Sequence, residues 1–183
     1  MARLLCLLLC CCFANGAAAE EAVEVCFNYG CASSETAVYS EPQLGWIKEL
    51  LGLANNAEHE RFMIGVVVGR LYAWAGEQTP IWADKGGNMA DQGVPGSMDC
   101  IDHSTTTERL LRMLERRSLF QFHRVVGPVR RDRFLVIEHH AVEIAELGED
   151  GEHFVVDSWF HDNGKPAEVM ALNDWINGED VDD

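Results

Sequence analysis

A chain of 183 residues, 48% of them hydrophobic, is long enough to fill the core of one domain. Its 30 acidic residues outnumber 14 lysines and arginines, for a formal charge of −16. That balance argues against nucleic acid and anionic membrane surfaces as partners and leaves a protein or peptide partner open; no oligomeric state can be read from it.

The chain opens with a targeting segment. Arg3 supplies a positive start, Leu4 to Phe13 is an unbroken apolar run, and Ala17-Ala18-Ala19 offers small residues for cleavage. A membrane-spanning helix needs roughly 20 apolar residues, so this run is too short, and no span is expected in the mature chain. The expected division is a signal peptide at 1–19, a single domain at 20–177 and an acidic tail at 178–183, with the protein secreted or periplasmic after cleavage near Ala19. Cleavage removes Cys6, Cys10, Cys11 and Cys12. Cys26 and Cys31, around the turn-forming Asn28 and Gly30, are expected to close a small disulfide loop, which leaves Cys100 as the odd thiol.

Ser40 with Gln43 forms a capping box, and Leu44, Ile47, Leu50 and Leu51 predict a short helix stopped at Gly52. Asn55 with Glu58 caps a second helix, apolar on nearly every side from Phe62 to Trp74 and therefore central to a core. Gly65 and Gly69, four apart, would let another element approach it closely. From Glu77 to Met98 the composition turns to Gly, Asp, Asn, Gln and Pro. Polar loops of this length tend to be functional, and Trp82, Asn88 and Gln92 are its candidate substrate contacts.

At the end of that loop Asp99 reads as an N-cap with Asp102 three residues on, which puts Cys100 in the first turn of a helix. There the dipole and free N–H groups favour a thiolate. Cys100, Ser104, Thr107, Leu111 and Leu114 form one stripe of that helix. The competing expectation is a small buried core cysteine.

Strands follow. Phe120, Phe122, Val125 and Val126 predict one, broken at Gly127-Pro128; another opens at 134–137 and runs through Ile144; the turn 148–151 then pairs it with a strand at 153–159, which ends on Trp159, a further candidate substrate contact. Pro166 is expected to start a short helix carrying Val169, Leu172 and Trp175. Helices followed by strands make an α+β arrangement. The hairpin brings a histidine beside Asp157. A cysteine at a helix start, a histidine on a strand and a carboxylate on the next strand form the Cys-His-Asp device for acyl transfer. Adjacent strand residues face opposite ways, so only one histidine serves. His140, in phase with the apolar Val142 and Ile144, is the preferred base; His139, in phase with Ala141 and Glu143, is the alternative. A zinc site would need further nitrogen or sulfur ligands, and no metal is expected.

Asp-Cys-Ile-Asp at 99–102, His-Ala-Val at 140–142 and Val-Val-Asp-Ser at 155–158 resemble, in order, three blocks of the transglutaminase-like cysteine peptidase superfamily, most nearly those of the bacterial transglutaminase-like cysteine proteinases. The resemblance spans about residues 96 to 160. It implies a papain-like, transglutaminase-like core with N-terminal helices and the cysteine helix packed on an antiparallel sheet. It also implies Cys100 as nucleophile, His140 as base and Asp157 as orienting acid. The broader superfamily pattern, a glutamate four residues after the histidine, selects His139 instead through Glu143. Met98 stands where relatives have glycine, and Ile101 where some place an acid that helps hold calcium. No cofactor is therefore expected, with calcium at Asp99 and Asp102 the one candidate. The expected function is an exported thiol hydrolase or acyl transferase, a cysteine peptidase, amidase or transglutaminase-like enzyme working on peptide or amide bonds through a thioester. The alternative is a catalytically degenerate binding module on the same fold.

Overall fold

The computed structural model describes residues 20–133 and 137–178. The expected signal peptide, residues 134–136 and all but the first residue of the expected acidic tail lie outside the described residues. The fold is mixed α+β, with helices packed against antiparallel sheets.

Two strands come before any helix, which corrects the helices-first order. β1 (Glu21–Phe27) and β2 (Ser33–Tyr39) pair antiparallel from Glu21 opposite Tyr39 to Phe27 opposite Ser33. Their inward residues Val23, Val25, Phe27, Ala37 and Tyr39 are buried. α1 (Glu41–Leu51) begins at the Ser40/Gln43 capping box and buries Leu44, Ile47 and Leu51. α2 (Ala57–Gly76) is capped one residue later than expected: Asn56, not Asn55, accepts a bond from the His59 N–H at 2.7 Å. It lies at the centre of the core, with Ile64, Val67, Val68, Leu71 and Ala75 fully enclosed. Gly65 and Gly69 face a crossing backbone: Ala167 N–H donates to Gly65 O at 3.0 Å, and a Cβ at Gly69 would sit 2.3 Å from Lys165 O.

α3 (Cys100–Arg116) packs Leu110, Leu111, Met113 and Leu114 into the same core, each fully buried aliphatic side chain contributing about 1.5–3 kcal/mol. It lies against a four-stranded antiparallel sheet in the order β3 (His123–Arg133), β4 (Ile137–Glu146), β5 (His153–Asp157), β6 (Glu168–Ala171). Gly127-Pro128 does not break β3. A bulge between Val125 and Gly127 absorbs the misfit, with Gly127 at a φ of 148°. The turn after β4 closes the expected hairpin, with Val142 opposite Val156. The segment after Pro166 is a strand rather than a helix, because Glu168–Ala171 completes the ladder on β5; the helix, α4 (Leu172–Asn177), begins only afterwards. One sheet face carries Val142, Ile144, Phe154 and Val156 into the main core. The other holds a smaller cluster of Ala141, Val155 and Trp175. Among the described residues no helix is long and apolar enough to cross a membrane.

Candidate functional site

The start of α3 is built by two carboxylates and a left-handed turn. Asp99 Oδ1 accepts the N–H groups of Ile101 at 3.1 Å and Asp102 at 2.9 Å, while Asp102 Oδ2 accepts the Asp99 N–H at 3.1 Å. The β1–β2 turn lies over this box. Asn28, Tyr29, Gly30 and Cys31 all have positive φ, at 67°, 65°, 66° and 55°. Each non-glycine residue held there costs about 1–2 kcal/mol. The turn aims its donors at the acids: Tyr29 N–H to Asp102 Oδ2 at 2.8 Å, Gly30 N–H to Asp99 Oδ2 at 3.0 Å and Cys31 N–H to Asp102 Oδ1 at 2.6 Å. The Cys26–Cys31 disulfide, expected from the spacing, closes the turn. Burial raises the Asp102 carboxyl to about 6 against bonds from the Cys31, Asp99 and Tyr29 N–H groups, and the charge of Asp99 adds to the rise.

Cys100, half-buried in the first turn, is the free thiol among the described residues. Its sulfur lies 3.9 Å from Glu138 O and beside the imidazole of His139. His139 Nε2 donates to Asp157 Oδ2 at 2.6 Å. Asp157, itself buried, is held by the Trp175 indole N–H at 2.9 Å and the Trp159 N–H at 3.1 Å. Burial pulls the His139 imidazole down, but the bond to Asp157, the neighbouring Cys100 sulfur and the Asp157 charge raise it to about 9. It is therefore a cation at neutral pH. Rings of Trp159, Phe160 and Trp175 surround it at 5.0, 5.6 and 5.7 Å between centroids.

The structure brings Cys100, His139 and Asp157 together and leaves His140 apart. His140 shares the phase of Val142 and Ile144 as expected, and its Nε2 lies 3.6 Å from Glu138. Asp157, however, has the phase of Val155, which packs with Ala141 and Trp175 on the opposite face. Apolar alternation identified the core face correctly, but the acid sits on the other one. His139, the alternative, is the histidine that meets it.

Of the other candidates, Trp159 lies against His139, whereas Trp82 stands 71% exposed on a short 3-10 helix at Pro80–Ala83. Asn88 organises a turn, its Oδ1 accepting the N–H groups of Ala90 at 3.0 Å and Asp91 at 3.2 Å. Gln92 is exposed. The long loop reaches the site through Gly87 N–H, which donates to Trp159 O at 2.8 Å. Sequence reasoning missed the buried chain behind it. Asp84 accepts the Met98 N–H at 2.8 Å and lies 3.1 Å from His103 Nε2. His103 Nδ1 lies 2.9 Å from Ser158 Oγ, which is 2.9 Å from Thr107 Oγ1. The available signal was position: His103 follows Cys100 by one helical turn, and Ser158 adjoins Asp157.

The state of the sulfurs corrects the expected thiol hydrolase or acyl transferase, and with it the enzyme class of cysteine peptidases, amidases and transglutaminases. Among the described residues, one group of three metal-type or thiol-type donors stands close together: Cys26, Cys31 and Asp102, with ligand atoms within 4.8 Å of one another. Its two sulfurs are bonded to each other, and a disulfide sulfur is neither an attacking thiolate nor a thiolate metal ligand. The same disulfide loop fastens two carboxylates at the positive end of α3. Asp99 already takes the Ile101 and Asp102 N–H groups at that helix start. No protein-family model, curated protein or solved structure matches this chain.

Proposed function

We propose that the chain is an exported binding module on a transglutaminase-like α+β scaffold. It takes an extended protein or peptide segment by strand addition at the Cys100, His139 and Asp157 site and does not turn it over. One observation carries this. β4 is paired with β5 only from Val142 to Ala145, so among the described residues Glu138–Ala141 have a ladder partner in β3 and no strand on the other side, with the Cys100 sulfur beside Glu138 O and the Asp157 and Trp159 side chains against His139. An unpaired strand edge offers main-chain hydrogen bonds to an added strand, and side-chain pockets along it supply the selectivity. Here that edge adjoins the His139 cation and the Trp159 ring. The indole N–H of Trp159 is buried with no partner among the described residues. The order of the three sequence blocks along α3, β4 and β5 supports the scaffold, and the acidic charge favours peptide over nucleic acid.

The test is titration of a defined library of synthetic extended peptides, followed by amide NMR and intact-mass spectrometry. Binders should shift the Glu138–Ala141 amides, and Cys100→Ala should bind them within about twofold of the native protein. No peptide should be cleaved. A peptide-derived thioester on Cys100, or cleavage that disappears in Cys100→Ala, would overturn the binding-only function.

A further inference from the structure

The disulfide lies on the turn that shapes the start of α3, and its two sulfurs are unlike. Cys26 is 2% exposed on β1, whereas Cys31 is half-exposed at the end of the turn. Arg109 Nη1 lies 3.3 Å from the Cys26 sulfur, with the guanidinium held by Glu24 O at 2.9 Å and the Glu24 carboxylate at 3.0 Å. An incoming thiolate therefore reaches Cys31, and a fixed cation waits beside the sulfur that would leave.

We propose that the Cys26–Cys31 bridge is a reducible clasp on the start of α3, opened by a dithiol through attack at Cys31. One thiolate of the dithiol bonds to the Cys31 sulfur. The Cys31–Cys26 bond breaks, and its electron pair goes to the Cys26 sulfur, where Arg109 stabilises the charge. The second dithiol sulfur then displaces Cys31. The dithiol ends as a disulfide, the bridge ends as two thiols, and the two protons of the dithiol end on Cys26 and Cys31.

Opening has a structural consequence because four consecutive left-handed residues are being held, three of them not glycine. Without the covalent ring, the turn relaxes towards ordinary backbone, and Tyr29, Gly30 and Cys31 withdraw their N–H groups from Asp99 and Asp102. Those carboxylates cap the helical turn that carries Cys100. The clasp thereby controls the order of the proposed peptide site; the consequence for the ligand rests on the binding function, whereas the clasp itself does not.

Full-length mature protein treated with dithiothreitol, with far-UV circular dichroism recorded throughout, separates the two. The bridge should open while the helical signal is unchanged. Amide exchange at residues 29–31 and 101–103 should rise at least tenfold, with the β3–β6 ladder unaffected. Iodoacetamide should label Cys100 several-fold faster. Glutathione, a monothiol, should be trapped on Cys31 rather than Cys26, and Arg109→Gln should slow opening several-fold. A Cys26→Ser, Cys31→Ser protein should show the same exchange pattern without reductant; if it does not fold, the reduced native protein decides. A bridge that opens only on global unfolding, or one that opens with exchange at 29–31 and 101–103 within twofold of the oxidised protein, overturns the clasp. Peptide binding measured in both redox states keeps the inferences apart. A clasp signature without any peptide binding removes the binding function alone, and binding with no clasp signature removes the clasp alone.

Discussion

Two histidine–carboxylate pairs sit at opposite ends of the four-stranded sheet, and the difference between them separates support from a site. At one end His123 Nδ1 lies 2.7 Å from Glu60 Oε2, both side chains fully enclosed. Glu60 also accepts the N–H groups of Gln121 at 2.5 Å and Phe122 at 2.9 Å, so the acid pins the chain entering β3 onto α2. At the other end His139 and Asp157 are 2.6 Å apart, but the histidine keeps some exposure, touches a thiol and lies among Trp159, Phe160 and Trp175. Similar pairing distances serve different purposes because the remaining bonds differ. Those of Glu60 both end on backbone, while those of Asp157 are divided between the Trp159 backbone N–H and the Trp175 indole, a ring that packs beside His139.

The sharpest way to break the comparison is Glu60→Ala. It leaves an enclosed histidine and two N–H groups without their acceptor, and chemical denaturation should show a loss of about 3–5 kcal/mol. Burial raises the Glu60 carboxyl, but the bonds from His123, Gln121 and Phe122 outweigh it and hold the group below its ordinary range. Its contribution is therefore present above the ordinary carboxyl value and lost as pH falls through the depressed one. A loss of less than 1 kcal/mol would reduce this pair to decoration.

The His139 pair acts on the opposite limb. Its folded value of about 9 lies above the ordinary 6.5, so the stabilisation is complete below 6.5 and is lost as pH rises through about 9. The shift corresponds to about 3 kcal/mol at most, less after solvent screening. Denaturation midpoints measured from pH 6 to 10 should fall across that window. Asp157→Asn should flatten the fall and return the NMR titration of His139 towards its ordinary value. An unchanged titration in Asp157→Asn would dissolve the contrast between the pairs. The smallest effect belongs to His140→Ala, which should change stability by less than about 0.5 kcal/mol and leave the His139 titration where it was. A His139 shift in that variant would mean that the two strand faces communicate.

Legibility in the sequence followed how local each cause was. α1 and α3 could be read because Ser40 with Gln43, and Asp99 with Asp102, are bonded within one helical turn. The β4–β5 hairpin was legible from its turn, and the Cys26–Cys31 bridge from its spacing. β1 and β2 went unread because Cys26 is buried between Val25 and Phe27, which breaks the period of two that Val23 and Val25 begin. β6 went unread because only its pairing with β5 makes Glu168–Ala171 a strand. The choice between His139 and His140 turned on which sheet face carries Asp157. That depends on Trp175 packing from beyond β6, about which residues 139–142 contain no information. The Asp84–His103–Ser158 chain joins three segments distant in sequence and left no periodic trace.

The glycine pair on α2 also bears on how the chain finishes folding. Gly65 and Gly69 make a bare strip, and the backbone of Lys165 and Ala167 rests on it so closely that any side chain there would collide. A slip of the crossing segment along α2 would set that backbone against Arg61 or Ala73, the next side chains on the same helical row. The strip thus works as a keyhole that admits the last strand in one register. β6 and α4, with the Trp175 indole that steadies Asp157, are delivered to their places by two missing side chains on α2.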